Sequence, residues 1–282
     1  MFVTSLVEND RLQGSDNLVP EFGLSMLVEH GESMVLFDMG ASSAFADNAH
    51  QLDIDLAAVD AAVVSHQHFD HGGGLEHFLG ANSSATVYLR QAPMADRRFK
   101  ALVFLNRPIG LDLDLIERHR DRFDVVDGRR EIAPGVFLVT AIGATHQRPR
   151  GNRNLYVRNG AVLTRDPFDH ELLMVVHDDD GMAVFTGCSH SGVLNLIDAA
   201  IEAFPATPIK AVFGGFHLIG LPFYDSMAAS RREVEKLGRR ILERVSGPVF
   251  TGHCTGRKAI PILERVMGDR LRAFPTGARA EV

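Results

Sequence analysis

Apolar residues along the chain fall into short runs and into longer stretches with helical spacing, and the two kinds alternate. Gly23-Leu-Ser-Met-Leu-Val-Glu29 and Ser33-Met-Val-Leu-Phe37 flank a His30-Gly31-Glu32 turn, which predicts a β-hairpin. Ser42 or Ser43 is placed to cap a helix that runs to about Leu52. Asp60-Ala-Ala-Val-Val-Ser65 is a short apolar run of the kind that forms a buried strand. In the second half the alternation is more regular. Met182-Ala-Val-Phe-Thr186, Ile209-Lys-Ala-Val-Phe213 and Pro248-Val-Phe-Thr251 predict strands. Between the first two, Val193, Leu196, Ile197, Ala200, Ile201 and Phe204 mark one helical face, closed by Pro205 and Pro208. A second helix is expected from about Ser226 to Val245, with Met227, Val234, Leu237, Ile241 and Val245 on one side. Strands alternating with helices imply an α/β fold whose sheets are covered by helices.

Each of four predicted strand ends is followed by histidine: His66, His68 and His71, then His190, His217 and His253. In sheets of this kind ligands collect beyond the carboxyl ends of strands, so these turns are expected to share one site. The densest segment is Ser65-His-Gln-His-Phe-Asp-His-Gly-Gly-Gly74. Imidazole and carboxylate suit zinc, iron or manganese. His66 and His68, two apart, can point together, while Asp70 and His71 turn toward a second position, which suggests two adjacent divalent ions. Zinc is the first expectation.

Composition narrows the class. Hydrophobic residues make up 45% of 282 positions, enough for a large core, and no stretch separates the chain into halves as a linker would. A single domain over 1–282 is expected. The net charge of −7 lacks the basic footprint of a general nucleic-acid binder. No signal peptide and no membrane span is read, and two cysteines, Cys188 and Cys254, are too few for a disulfide scaffold. A cytoplasmic enzyme with reduced cysteines follows as the default. Its partners are expected to be a small anionic substrate and, through exposed sheet edges, a second copy as a homodimer. Residues 90–130 are the basic part of the chain, with nine Lys and Arg side chains from Arg97 to Arg130, and are expected as an insertion or lid. Arg148 and Arg150 and the helix start near Ser191 offer cationic and backbone N–H donors for a substrate anion.

The pattern His-x-His-x-Asp-His at 66–71 resembles the signature of the metallo-β-lactamase superfamily, as do Asp38-Met-Gly40 and Thr251-Gly-His253. The segments Phe22–Glu29, 186–195, 214–218 and 252–256 resemble one branch of it. That branch is named for the 7,8-dihydropterin-6-methyl-4-(β-D-ribofuranosyl)aminobenzene-5′-phosphate synthase of the methanopterin pathway. The resemblance implies a four-layer αββα sandwich with two metals at one sheet edge. It further implies a third histidine on the first metal, an acidic bridge, and His253 on the second. The bridging aspartate of the superfamily is replaced here by Cys188. His190 is the first candidate for the missing histidine and His146 its rival. His217 is expected to face substrate, as a proton donor, rather than to bind metal. Asp70 is assigned both a ligand role and a catalytic one, orienting a metal-bound hydroxide, and Asp38 a supporting hydrogen bond to a ligand imidazole. The function expected is metal-dependent hydrolysis of a phosphoester or lactone. The alternatives are a pterin-pathway synthase or transferase and a metal-binding sensor without catalysis.

Overall fold

The computed structural model describes residues 1–91, 95–101, 105–221 and 226–282. Two seven-stranded sheets pack face to face, and a third sheet of four strands lies beside them. The first sheet runs Arg279–Glu281, Phe2–Val7, Ser25–His30, Ser33–Phe37, Ala61–Val63, Thr86–Leu89, Phe123–Val125. The second runs Leu271–Ala273, Val249–Thr251, Ile209–Phe213, Gly181–Phe185, Leu173–Asp178, Val136–Val139, Arg129–Ala133.

Each main sheet is half antiparallel and half parallel. Hairpins supply part of the antiparallel halves, including the expected one, in which His30 pairs with Ser33 around Gly31. The parallel halves join Ser33–Phe37 to Ala61–Val63 and Thr86–Leu89, and Gly181–Phe185 to Ile209–Phe213 and Val249–Thr251. Parallel neighbours need crossover segments, which here carry helices. These include Ala44–Gln51 and Leu75–Ala81 on one face, and Val193–Ala203 and Arg231–Leu242 on the other.

Strand alternation divides the side chains among three core layers. Met26, Val28, Val35, Phe37, Ala61 and Val63 point inward to meet Met174, Val176, Ala183, Phe185, Ala211 and Phe213 of the opposite sheet. Their neighbours Leu27, Leu36 and Ala62 pack under Phe45, Leu75 and Phe78. On the far side Val175, Val184 and Val212 pack under Leu196, Val234 and Leu263. The result is the αββα sandwich. Phe185, Phe213 and Phe250 stack in a row with ring centroids 4.8 and 4.4 Å apart. Such pairs contribute about 0.5–1.5 kcal/mol beyond their burial. They hold three parallel strands in register one residue before their terminal loops.

Three boundaries differ from expectation. The helix expected from Ser226 is Arg231–Leu242, because Ser230 and Glu233 form a capping box there. The helix after His190 begins only at Val193, behind Gly192 at φ 95°. The basic stretch 90–130 does not stay together as one lid. Asp96–Ala101 and Leu105–Pro108 join Leu155–Asn159 and Val162–Arg165 in the third sheet. Phe123–Val125 and Arg129–Ala133 instead form edges of the two main sheets. Edge strands carry charge to stay solvated, so arginine density marks them as readily as it marks an insertion.

Candidate metal centre

Five loops leave the carboxyl ends of parallel strands and meet. Asp38 follows Phe37, Ser65–His71 follows Val63, Thr186–Ser191 follows Phe185, Gly214–His217 follows Phe213, and His253 follows Thr251. The first two loops lie too close for side chains between them. A Cβ on Gly73 would stand 2.4 Å from the Ala41 carbonyl oxygen, and one on Gly74 2.2 Å from that of Met39. Asp38, Ser189, His217 and His253 all adopt left-handed backbone, φ 44° to 60°. Each such residue costs on the order of 1 kcal/mol or more, a strain that clusters at functional loops.

Two groups of donors result. The ligand atoms of His66, His68 and His190 lie within 4.8 Å of one another, and so do those of Asp70, His71, Cys188 and His253. Cys188 also groups with His190 and His217, so its sulfur stands at the junction. Nε2 of His66 is 3.1 Å from Nδ1 of His68. Nε2 of His71 is 3.2 Å from both Sγ of Cys188 and Nε2 of His253, and Asp70 Oδ2 is 3.3 Å from the latter. Every one of these side chains is buried.

The loops at 65–71, 186–191 and 253 are braced from behind. Asp38 accepts from Ser65 N–H and Oγ–H and lies 2.6 Å from His71 Nδ1. Glu171 accepts from the backbone N–H groups of His190 and Ser191, both at 2.6 Å. Glu8 accepts from the N–H of His253 and Asp10. Asn152 Oδ1 faces Nδ1 of His190 at 2.9 Å and Asn9 Oδ1 faces Nδ1 of His253 at 3.0 Å. These contacts leave the Nε2 atoms of His71, His190 and His253 to the centre. A fourth brace reaches the third sheet: Arg97 pairs with Asp166, Asp166 with His170, and His170 Nδ1 accepts from Gln67 N–H at 3.0 Å.

The electrostatics favour neutral imidazoles in the first donor group, whereas at His71 burial is outweighed by Asp38 and Asp70, which raise it. Burial, with mutual repulsion among the histidines, holds His66 and His190 well below the usual range. Burial likewise lowers His68, to about 3, against the pull of Asp70. Burial raises Asp70, but His71 and His253 outweigh it and keep the carboxyl ionised. The Cys188 thiol is pushed well up by burial and by neighbouring Cys254 and Asp70, so a cation is needed to deprotonate it. His68 Nε2, His190 Nε2 and His217 Nδ1 are buried with no hydrogen-bond partner. An orphaned buried polar atom costs about 1–3 kcal/mol. A metal or a substrate atom would satisfy such atoms, and neutral nitrogen, carboxylate and sulfur donors in this density fit divalent ions of the zinc type.

The remaining sequence-derived candidates lie elsewhere. His146 is 2.6 Å from Asp198, away from both donor groups, whereas His190 sits with His66 and His68. The Ser191 N–H is not free for a substrate anion, because Glu171 already takes it. Arg148 donates to the Pro167 carbonyl and Arg150 to Glu233. Both line a separate groove on the other side of His217, so the expected anion grip on the metal side is not theirs. Cys188 and Cys254 are buried free thiols, with Cys254 Sγ 3.5 Å from the Cys188 carbonyl oxygen. Glu8, Asn9, Asn152, Asp166, His170 and Glu171 were not singled out by residue pattern.

The profile of the metallo-β-lactamase superfamily matches residues 18–189, more than half of the chain. The chain belongs to the metallo-β-lactamase superfamily. A metallo-β-lactamase-fold crystal structure described as Tm1679, a metal-dependent hydrolase of the β-lactamase superfamily, superposes with a TM-score of 0.82 at 30% identity. The match covers 100% of this chain and 99% of that one. The 7,8-dihydropterin-6-methyl-4-(β-D-ribofuranosyl)-aminobenzene-5′-phosphate synthase of Methanocaldococcus jannaschii is 26% identical over 85% of this chain and 82% of its own length. Zn(2+)-bound PqqB from Methylobacterium extorquens shares the fold, with a TM-score of 0.57 and 11% identity, both chains being covered in full. Cys188, which stands where the resemblance implies an acidic bridge, belongs to both the Asp70–His71–His253 group and the His190–His217 group. Above the donors this metallo-β-lactamase fold encloses a cavity of about 560 Å³, whose far wall is supplied by the third sheet. Among the described residues no helix is long and apolar enough to cross a membrane.

Proposed function

We propose that the protein is a metal-dependent hydrolase acting on a small anionic substrate with a phosphoester or lactone bond. The observation that carries this reading is the pair of donor groups joined at Cys188 on the floor of a cavity. His66, His68 and His190 would hold one divalent ion, and Asp70, His71 and His253 a second, with Cys188 at the junction. Zinc fits the mixed nitrogen, oxygen and sulfur donors best, with iron or manganese as alternatives. Two such ions supply a water of near-neutral pKa and an electrophilic pull on the scissile bond.

The chain's own residues do the rest. Asp38, Asn9 and Asn152 fix the rings of His71, His253 and His190 by hydrogen bonds at Nδ1. Such supporting partners tune ligand orientation. Asp70, kept ionised, accepts a hydrogen bond on the side where the attacking water is oriented. His217 lines the same cavity with Nδ1 unpartnered; burial lowers its imidazole to about 4, so the neutral ring is placed to face substrate and accept a proton rather than to deliver one. The apolar walls exclude bulk water, which strengthens each of these polar contacts.

The test is elemental analysis of the purified protein coupled to a turnover screen on phosphodiesters and lactones. Two ions per chain and turnover are expected, and His68→Ala should lower metal content and cut turnover at least a hundredfold. Undiminished turnover in that variant would refute the reading, and metal without turnover would favour a sensor. A second reading, a pterin-pathway synthase or transferase, is supported by the synthase relative that spans most of the chain. It predicts a joined product rather than two fragments, which mass spectrometry distinguishes.

A further inference from the structure

We propose that the substrate is two-ended: its reacting group lies on the metal floor, an aryl or acyl spacer fills the cavity, and a second anionic group reaches Arg107. This rests on the metal-hydrolase reading and goes beyond it, since a metal centre alone requires only one anionic group.

The floor of the cavity is polar, made by the donor residues and His217. The walls are not. Phe22, Phe69, Phe99, Ile109, Leu155 and Ile219 enclose it, and Phe22 and Phe69 are each 41% exposed at its opening. Large exposed aromatics flanking a polar floor are a surface that an apolar ligand would cover. A compact phosphate or a short hydroxy acid leaves these rings wet.

Within this lining Arg107 is the single Lys or Arg among the described residues. It pairs across the strands with Phe99, so cation and ring share one face of the Asp96–Ala101 and Leu105–Pro108 hairpin. The other arginines of that sheet are engaged. Arg97 faces Asp166, Arg98 and Arg158 face Asp96, and Arg165 lies over the Tyr156 ring at 4.5 Å. Arg107 has neither a carboxylate nor a ring partner among the described residues, and its guanidinium remains free to grip a carboxylate or phosphate in fork geometry. Arg148 and Arg150, the cations expected from sequence, are on the wrong side of His217 and already bonded.

Calorimetric titration of the zinc-loaded protein tests this without turnover. The probes are methylphosphonate, phenylphosphonate, biphenylphosphonate and the two aryl compounds carrying a terminal carboxylate. Phenylphosphonate or biphenylphosphonate should bind at least tenfold tighter than methylphosphonate, and one carboxylated probe at least a further tenfold tighter. Arg107→Ala should erase the second gain and keep the first, with zinc content unchanged, and Arg107→Lys should retain part of it. Carboxylated probes no tighter than their parents, or an equal loss for every probe in Arg107→Ala, would overturn the proposal. A preference that depends on Arg107 yet survives removal of zinc would support the two-ended ligand while removing the metal reading.

Discussion

At the scale of single residues, the centre depends on groups that never touch an ion. Glu171 uses both carboxylate oxygens to hold the N–H groups of His190 and Ser191. Burial raises its carboxyl, while bonds from Ser191 and His190 pull the other way. Glu171→Gln keeps the shape but replaces one acceptor oxygen by a donor, which then faces an N–H group. Its expected outcome is a 10- to 100-fold loss of zinc affinity, the usual cost of losing a supporting partner. Competition with a chromophoric chelator measures the affinity, and unchanged far-UV dichroism confirms that the fold persists. Wild-type affinity in that variant would remove Glu171 from the positioning of His190.

At the scale of elements, the helix Val193–Ala203 is tied to its surroundings by Asp198. Its two oxygens meet Arg244 Nε and His146 Nε2, both at 2.6 Å. Burial alone would raise the Asp198 carboxyl, but the hydrogen bonds from Arg244 and His146 prevail and lower it. A carboxyl depressed in the folded state stabilises the fold above the unfolded pKa of about 3.9 and loses that contribution as pH falls through the folded value. Denaturant titrations should therefore show Asp198→Asn to be destabilised at neutral pH, with the difference from wild type closing below about pH 4. With a side chain about a quarter exposed, the neutral-pH loss is expected to stay under about 1 kcal/mol. A difference that widens in acid would contradict the assigned ion pair.

At the scale of the whole molecule, the donors come from loops of both sheets, so an ion bound there is bound only by the folded state. Ligand present at a thousand times its dissociation constant stabilises by about 4 kcal/mol. In a chain of this size that raises the thermal midpoint by on the order of 10 °C. Chelation should lower the midpoint by that amount, and added zinc should restore it. A midpoint indifferent to chelator would mean that the buried imidazoles serve packing alone. The third sheet adds a second whole-molecule effect. Arg97, Asp166 and His170 link it to the backbone of Gln67, between the two histidines of the first donor group.

Sequence by itself was enough for the alternation of strands and helices, for the strand ends that carry histidine, and for the donor density at 66–71. These are local properties, set by side-chain periodicity over a few residues. Tertiary structure alone decided which distant residues meet. It chose His190 over His146, because Glu171 and Asn152 hold the first in place while Asp198 holds the second away. It withdrew Ser191, Arg148 and Arg150 from the metal side by giving their donors other partners. It also split the arginine-rich stretch between two sheet edges and a separate sheet that carries Arg107 over the cavity. Pairings such as Glu171 with His190, 19 residues on, and Glu8 with His253, 245 residues on, leave no periodic trace in the chain, because these buried acceptors are chosen by the geometry of the loops they brace.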